Sequence, residues 1–447
     1  MKKKLLLLLL LLAPVFSLTG CESEPEPLRI CIDLEYTLNS SYVEIMNIDQ
    51  ILYDFEYSLK ETGGLENVEI EYLPKGTERE SALDRLRAEI MAGEGPDVFI
   101  VNCVGSLTGD YKVPGSDASA PLFPFPQKAM EAGVFLPLDA YMENTQFTEW
   151  DKLTQSVLDA GRNEEGLQLV PLVYTFPMLC YRQSEGTYTP SATRTWNEML
   201  TDAELSDEAR ILGDCYTEFG FNLSPSPYAE YIFGKYADFK EEELLFTEEE
   251  LQQHLEEILE LQARTENGET SDHITDYLDT YAGMCFLDGN TSMDTNIYPN
   301  DELTMVPLYS DDGGVTATIM SFAAINRNTR FPEEAFTVID ILLSEHTQQW
   351  SRLYSTLLYR YTFGVPMHEE IMQEEHPFGQ RNWYMNDANY EEFCKVRDQI
   401  TSANFQDDLS LVFWNLIYDY KQAERKGISI EDFVSEKYRE MERLVKE

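Results

Sequence analysis

Two short segments carry residue types that hydrolytic enzymes use, and each lacks one part of the corresponding motif. Residues 368–372 read HEEIM and have no second histidine four positions on, so they do not form the helical zinc motif of metalloproteases. Residues 105–109 read GSLTG, which places the serine one position away from that of a nucleophile elbow. The chain has five histidines, no CxxC pair and no phosphate-binding glycine loop. We therefore predict no catalytic residue, no metal ligand and no cofactor.

The charge of the chain excludes one class of partner and leaves one class of enzyme open. With 33 Lys and Arg against 81 Asp and Glu, the formal net charge is -48, which repels nucleic acid and anionic lipid headgroups. Paired carboxylates can hydrolyse glycosides, but the distance between two carboxylates cannot be read from a sequence. A secreted carboxylate-dependent hydrolase thus remains an alternative.

The first twenty residues have the features of an export signal. Three lysines precede an apolar stretch over 5–16 that is too short to span a membrane. The segment Leu18-Thr19-Gly20-Cys21 resembles the bacterial lipobox. This resemblance implies that Cys21 carries lipid, palmitate included, that residues 21–27 form a tether, and that the protein is extracytoplasmic and anchored to the cell membrane only through that lipid. The other six cysteines are expected to be mostly buried free thiols.

Strands and helices alternate in the first part of the mature chain. Residues 28–34 and 68–73 have the pattern of strands, and 43–60 between them is long enough for a helix. A second helix ends before residue 93, and 97–102 is an apolar strand of the parallel type. This alternation predicts an α/β lobe, and a chain of 447 residues is long enough for two domains.

The later part of the chain is predicted to become more helical. Residues 167–173 and 315–326 have strand character, and 332–343 has helical character. Thr247 and Glu250 have the spacing of a capping box at the start of a helix. Residues 345–447 are predicted to be predominantly helical.

Short signatures then occur in the order found in the maltose-binding-protein-like group, family 1 of the bacterial extracellular solute-binding proteins. Each signature is weak alone, but together they extend over nearly the whole mature chain. They are AGEGPDVF at 92–99, FLPLD at 135–139, GLQLVPL at 166–172, LCYR at 179–182, TWNEM at 195–199, FLDG at 286–289, FAAIN at 322–326, PEEA at 332–335 and GVP at 364–366.

This resemblance implies an α/β, two-lobed periplasmic-binding-protein-like fold of type II. Both lobes would be discontinuous and the C-terminal region would be helical. Lobe 1 would comprise 28–174 plus 312–345, and lobe 2 would comprise 175–311 plus 346–447.

The resemblance also places a ligand cleft at strand ends and at the crossings between lobes. Polar side chains there would bind solute hydroxyls, and aromatic rings would pack against the apolar faces of a sugar. The candidate ligand-binding residues are Asp33, Glu35, Tyr36, Asn102, Tyr174, Phe176, Asn290, Asp294, Ser321 and Tyr361.

The expected partners are a small polar solute, with a sugar or oligosaccharide favoured, and the permease subunits of an ABC transporter. No enzymatic activity is expected, and the protein is expected to be a monomer. A sensor subunit without transport stays open, because it would use the same lobes and cleft.

Overall fold

A computed structural model provides the structure of the chain. It describes residues 26–34, 48–73, 77–103, 120–182, 195–201, 203, 229–264, 283–286, 303–350, 365–371 and 387–446.

Helices follow the first two strands and dominate the C-terminal part of the described chain. The helices are α1 (Ile48–Gly63), α2 (Thr77–Met91), α3 (Pro126–Glu131), α4 (Asp139–Met142), α5 (Gln155–Leu158), α6 (Trp196–Leu200), α7 (Ala229–Ile232), α8 (Glu248–Arg264), α9 (Pro332–Leu343), α10 (Glu345–Trp350), α11 (Asp387–Arg397), α12 (Asp408–Arg425) and α13 (Ile430–Lys446). Short 3-10 turns cover Trp150–Lys152 and Asp159–Gly161.

The strands are concentrated in one large sheet. They are β1 (Leu28–Asp33), β2 (Val68–Tyr72), β3 (Val98–Asn102), β4 (Arg162–Asn163), β5 (Gly166–Leu167), β6 (Leu169–Thr175), β7 (Pro177–Arg182), β8 (Ala237–Asp238), β9 (Glu243–Leu244), β10 (Gly283–Phe286), β11 (Leu303–Pro307), β12 (Val315–Ile325), β13 (Val365–Pro366) and β14 (Ile400–Phe405).

The large sheet has seven strands in the order β13-β6-β12-β3-β1-β2, and β14 also pairs with β12. β1 runs parallel to both β2 and β3, as the strand–helix alternation predicted. Every residue of β3, β6 and β12 is buried, which is the pattern of strands covered on both faces. A three-stranded antiparallel sheet, β10-β7-β11, lies further along the chain.

Two separate hydrophobic cores are present. The first contains the large sheet together with buried side chains from α1, α2, α9 and α11. The second contains Trp196, Tyr231, Leu255, Phe413 and Val434, so it is built from α6, α7, α8, α12 and α13. Trp196 is fully buried in the second core.

Local sequence signals located several elements accurately. Thr247 and Glu250 form the predicted capping box, in which the Glu250 N–H donates to Thr247 Oγ1 at 3.2 Å and the Thr247 N–H donates to Glu250 Oε2 at 2.7 Å. α9 has the predicted bounds, and α1, described from Ile48, covers the described part of the predicted helix. The turn between α2 and β3 places Gly93 and Gly95 at φ 77° and 100°, where a side chain would strain the backbone.

The C-terminal region, predicted to be predominantly helical, also contains two strands. β14 lies within it and pairs in parallel with β12, and residues from β13, α11 and β14 are part of the first core. Residues 365–371 and 387–405 therefore contribute side chains to the first core. The lobe boundaries stay a prediction.

Three cysteines are free thiols in the described part of the chain, with Cys31 and Cys103 buried and Cys394 half-buried. Among the described helices, none combines the length and the apolar character that crossing a membrane requires.

Candidate functional site

The carboxyl ends of two strands meet beside the middle of β12. β3 runs antiparallel to β12 and ends with Asn102 opposite Ser321, whereas β14 runs parallel to β12 and ends with Phe405 opposite Ile319. β6 occupies the other edge of β12, so β3 and β14 lie on the same side and approach each other end to end. Backbone hydrogen bonds fix this junction, since Cys103 N–H donates to Met320 O at 2.8 Å and Gln406 N–H donates to Ile319 O at 3.1 Å.

Three polar side chains at this junction have unused hydrogen-bonding atoms, and we call Asn102, Ser321 and Gln406 the strand-end cluster. Their exposed fractions are 2%, 0% and 0%. Asn102 Oδ1, Ser321 Oγ and both amide atoms of Gln406 have no hydrogen-bond partner among the residues that the structure describes. Buried polar atoms are paired in the great majority of cases, and leaving one unpaired costs about 1–3 kcal/mol. Four such atoms in one place make the strand-end cluster a candidate binding site for a polar group.

The orientation of Asn102 is set by its neighbour in the sheet. Its Nδ2 donates to the carbonyl of Leu34, directly after β1, at 2.9 Å, so this hydrogen bond assigns the other amide atom as Oδ1. Asn102 and Ser321 are direct partners of an antiparallel pair and therefore face the same side of the sheet. Both were predicted as ligand-binding residues, and they are adjacent.

Asp33 lies at the end of β1, beside this junction, and is paired inside the protein. Arg79 donates to its two carboxylate oxygens at 2.8 and 2.7 Å, and both side chains are 1% exposed. Arg79 also donates to the carbonyl of Ala120 at 2.7 Å. Asp33 was a predicted ligand residue, and in this structure its carboxylate binds Arg79.

Tyr174 and Phe176 lie on the path from β6 to β7 and are buried among aromatic rings. Their ring centroids are 6.1 Å apart, and Phe176 stacks on Phe393 at 5.8 Å. The hydroxyl groups of Tyr174 and Thr154 are 3.1 Å apart. These two predicted ligand residues therefore contribute to the first core.

Six other predicted residues lie outside the described residues. They are Cys21, Glu35, Tyr36, Asn290, Asp294 and Tyr361. Their roles stay predictions.

The strand-end cluster lies where the large sheet meets the second core. The hydroxyl of Thr318 on β12 donates to the hydroxyl of Tyr231 in the second core at 2.8 Å. Asn404 on β14 donates to the carbonyl of Gly234 at 2.8 Å. The chain then leaves the sheet through Gln406 and enters α12, whose side chains belong to the second core.

Ionisable groups beside Gln406 are affected by burial. Burial raises the pKa of Asp407 to about 7, although its carboxylate accepts hydrogen bonds from Ser410 N–H at 3.0 Å and from Tyr236 at 3.2 Å. Burial also raises the pKa of Asp408 to about 6, against the opposing charge of Arg87. The pKa of the Cys103 thiol is raised by burial and by Asp407. This thiol therefore stays protonated, which disfavours a role as nucleophile.

Gln406 was not predicted as a site residue, because 345–447 was expected to be mainly helical. A signal was available in the sequence. Residues 400–405 read ITSANF and are followed by Asp407 and Ser410, which form a capping box at the start of α12. Because the strand ends at Phe405 and the helix cap is Asp407, the residue between them, Gln406, lies at the end of the strand.

Solved structures with this architecture were found, whereas no protein-family model and no curated protein matches the chain. An extracellular solute-binding protein family 1 structure from Alicyclobacillus acidocaldarius has a TM-score of 0.56 at 13% identity, covering 95% of this chain and all of that one. The chain has the fold of an extracellular solute-binding protein. This solute-binding fold confirms the predicted two-lobed α/β class, and the two hydrophobic cores agree with it.

Two further structures share the solute-binding fold. A periplasmic oligogalacturonide-binding protein from Yersinia enterocolitica has a TM-score of 0.53 at 14% identity, covering 94% of this chain and 99% of that one. A de novo designed cysteine esterase has a TM-score of 0.54 at 13% identity, covering 94% and 98%. At these identities the similarity concerns the fold alone.

Proposed function

We propose that the chain is an extracytoplasmic, lipid-anchored solute-binding protein that captures a sugar or oligosaccharide and delivers it to the permease of an ABC transporter. The observation that carries this proposal is the strand-end cluster, where four buried polar atoms lack partners within the described chain. A ligand with hydroxyl groups supplies both donors and acceptors to amide and hydroxyl side chains.

The position of the cluster supports a mechanism in which the two lobes close around the solute. Asn102 and Ser321 belong to the large sheet, and Gln406 precedes the helix that enters the second core. A solute bound there would stabilise the closed arrangement, because it would contact both lobes only in that state. Opening of the lobes would expose the cluster and release the solute.

Binding is tested with a panel of mono- and oligosaccharides by thermal shift and then by calorimetry. A ligand at about 100 times its dissociation constant adds about 2.7 kcal/mol of stability. For the sugar that binds, Ser321→Ala, Asn102→Ala and Gln406→Ala should each weaken affinity by about tenfold or more, since each removes hydrogen bonds of about 1–1.5 kcal/mol.

Ser402→Ala is the matched control. Its hydroxyl lies in the same sheet, on β14, and is already 3.0 Å from the hydroxyl of Thr316, so its removal should leave sugar affinity within about twofold. Equal loss in Ser321→Ala and Ser402→Ala would contradict the assignment of the site, and no binding of any sugar would contradict the ligand class.

The lipid anchor is tested separately in cells. Cys21→Ser should abolish incorporation of labelled palmitate and release the protein from the membrane fraction. Retention of the label on the variant would contradict acylation at Cys21.

The unmodified chain should bind its ligand without converting it chemically. Although a designed cysteine esterase shares the fold, burial raises the pKa of Cys103, the thiol at the strand-end cluster. Prolonged incubation with the glycan panel and with an activated ester should give no product. Turnover of the ester abolished by Cys103→Ala would contradict this expectation and assign a nucleophilic role to this thiol, whereas hydrolysis of a glycan would favour the carboxylate-dependent hydrolase.

A further inference from the structure

A second group of side chains, remote in sequence from the strand-end cluster, has the composition of a metal site. One carboxylate oxygen each from Glu149 and Glu345 and one ring nitrogen of His368 lie within 4.8 Å of one another. Glu149 precedes a 3-10 turn, Glu345 begins α10, and His368 follows β13. Three separate segments therefore bring a nitrogen and two oxygen ligands together.

The imidazole of His368 has an unused ring nitrogen. The residue is 1% exposed, and its Nε2 has no hydrogen-bond partner within the described part of the chain. Its Nδ1 accepts a hydrogen bond from Glu370 N–H at 3.4 Å, which is long for a hydrogen bond to nitrogen. A buried nitrogen beside two carboxylates, unpaired among the described residues, is a position that a bound ion can fill.

Backbone hydrogen bonds hold the segment of His368 against that of Glu149. The N–H of Glu369 donates to Lys152 O and the N–H of Thr154 donates to Met367 O, both at 2.9 Å. The imidazole position is thus fixed by the protein backbone on both sides of His368.

Gln348 connects His368 to the helix that Glu345 begins. Its Oε1 accepts from the backbone N–H of His368 at 3.2 Å, and its Nε2 donates to Leu343 O at 2.7 Å. The scaffold around the three side chains is therefore preorganised, as a metal site requires.

The ammonium group of Lys152 would compete with a bound metal ion for the carboxylate of Glu149. Its ammonium group lies 3.2 Å from Glu149 and 3.1 Å from Glu370. An exposed ion pair contributes about 0–1 kcal/mol, and Lys152 keeps Glu370 as a partner if Glu149 turns to a metal. Glu149 has a side chain that is 53% exposed, so it is free to rotate toward the imidazole.

We propose that Glu149, Glu345 and His368 bind a divalent transition metal ion of the zinc class. One imidazole and two carboxylates suit zinc, whose ligand bonds are about 2.0–2.2 Å long. The side chains must close in by about an ångström or more, which rotation of the two glutamates allows. Calcium requires about six to eight oxygen ligands and is the poorer fit. This metal would join three segments of the first core, and it revises the expectation of no metal ligand.

The test is calorimetric titration of the chelator-treated protein with zinc chloride, followed by calcium chloride. We expect one zinc ion per chain, with calcium at least tenfold weaker. Glu149→Gln and Glu345→Gln should each weaken zinc binding at least tenfold, and His368→Gln should abolish it. Because Glu149 is exposed, Glu149→Gln keeps the test valid even if the buried His368 variant does not fold.

Asp151→Asn is the matched control, since it removes an exposed carboxylate two residues from Glu149. It should change zinc affinity by less than about twofold. The proposal is overturned if no saturable zinc binding occurs, if Asp151→Asn weakens binding as much as Glu149→Gln, or if neither glutamate variant changes the affinity. The last outcome would place the zinc on other carboxylates of this acidic surface.

Discussion

Two regions next to the large sheet bury polar side chains in opposite ways. In the first, the Asp340 cluster, the carboxylate of Asp340 on α9 accepts hydrogen bonds from the backbone N–H groups of Gln146, Phe147 and Thr148 at 2.7, 3.1 and 3.0 Å, and also from the hydroxyl of Thr145. In the second, the strand-end cluster, four buried atoms have no partner among the described residues.

The two regions have similar burial, because Asp340 is 2% exposed and the members of the strand-end cluster are 0–2% exposed. The two regions differ in whether the described residues of the chain supply the hydrogen-bond partners. A buried polar group satisfied by the chain itself holds the fold together. One that the chain does not satisfy lowers stability and is retained where a ligand provides the partner. The following predictions test that distinction.

The largest effect is expected for Arg79→Met. This change removes the guanidinium that donates two hydrogen bonds to the buried carboxylate of Asp33, and breaking a buried ion pair costs about 3–5 kcal/mol. Asp33 lies beside the strand-end cluster and, unlike the cluster, is paired by a charged side chain of the protein. Chemical denaturation measures the free energy of unfolding. The double variant Arg79→Met with Asp33→Leu should recover most of the loss, and failure to recover it would show that the charge is not its cause.

Asp340→Ala should cost about 3 kcal/mol, because three backbone donors lose their acceptor in a buried place. The expected result is a lower denaturation midpoint with unchanged sugar affinity once the protein is folded. Thr337→Ala, on the same helix and half-buried, serves as control because its hydroxyl bonds only within the helix, to Glu333 O, and should stay within about 1 kcal/mol. A loss below 1 kcal/mol in Asp340→Ala would remove the contrast between the regions.

The pH dependence of stability should report Asp407, next to Gln406. Burial raises the pKa of its carboxyl to about 7 in the folded protein, against an ordinary value of 3.8. The folded state therefore retains a proton that the unfolded state loses. The stability that this proton contributes is fully present below about pH 4 and is lost as the pH rises through 7.

For one proton, the slope is at most about 1.4 kcal/mol per pH unit. Chemical denaturation at pH 5.5 and 6.5 measures this slope. Asp407→Asn should reduce the difference in free energy of unfolding between the two pH values, since the amide does not titrate. An identical slope in this variant would assign the effect to other groups.

The smallest effect on stability is expected for Gln406→Met. Both amide atoms of Gln406 lack hydrogen-bond partners among the described residues, so a flexible apolar side chain of similar length should change the free energy of unfolding by less than about 1 kcal/mol. Sugar binding should nevertheless be lost. A destabilisation above 2 kcal/mol would mean that Gln406 holds the fold as Asp340 does.

Much of the first lobe follows from local pattern. The apolar runs at 28–34 and 97–102 and the helices between them were located from the sequence, as was α9. These elements depend on periodicity, capping and glycine turns, all of which are written within a few neighbouring residues. Asn102 was chosen as a candidate because it ends an apolar strand, and Ser321 because the family resemblance places the ligand cleft at strand ends and at the crossings between lobes. Both stay candidates.

β14 and Gln406 could not be located by the same means. β14 follows α11 directly, within a helical region, and its strand conformation depends on pairing with β12. For a similar reason, Asp33 and Tyr174 could not be assigned to internal contacts from the sequence. Their partners, Arg79 and Thr154, are 46 and 20 residues away.

The sequence alone determined the α/β class, the order of the main elements and the resemblance that led to the solute-binding fold, because hydrophobic periodicity and turn chemistry are local. The tertiary structure decided which buried polar side chains are satisfied. A hydrogen bond between distant segments depends on separations of a few ångströms, which arise only when the sheet has assembled. That assembly pairs Asp33 with Arg79, encloses Asp340 in backbone donors, and leaves the strand-end cluster without partners in the described chain.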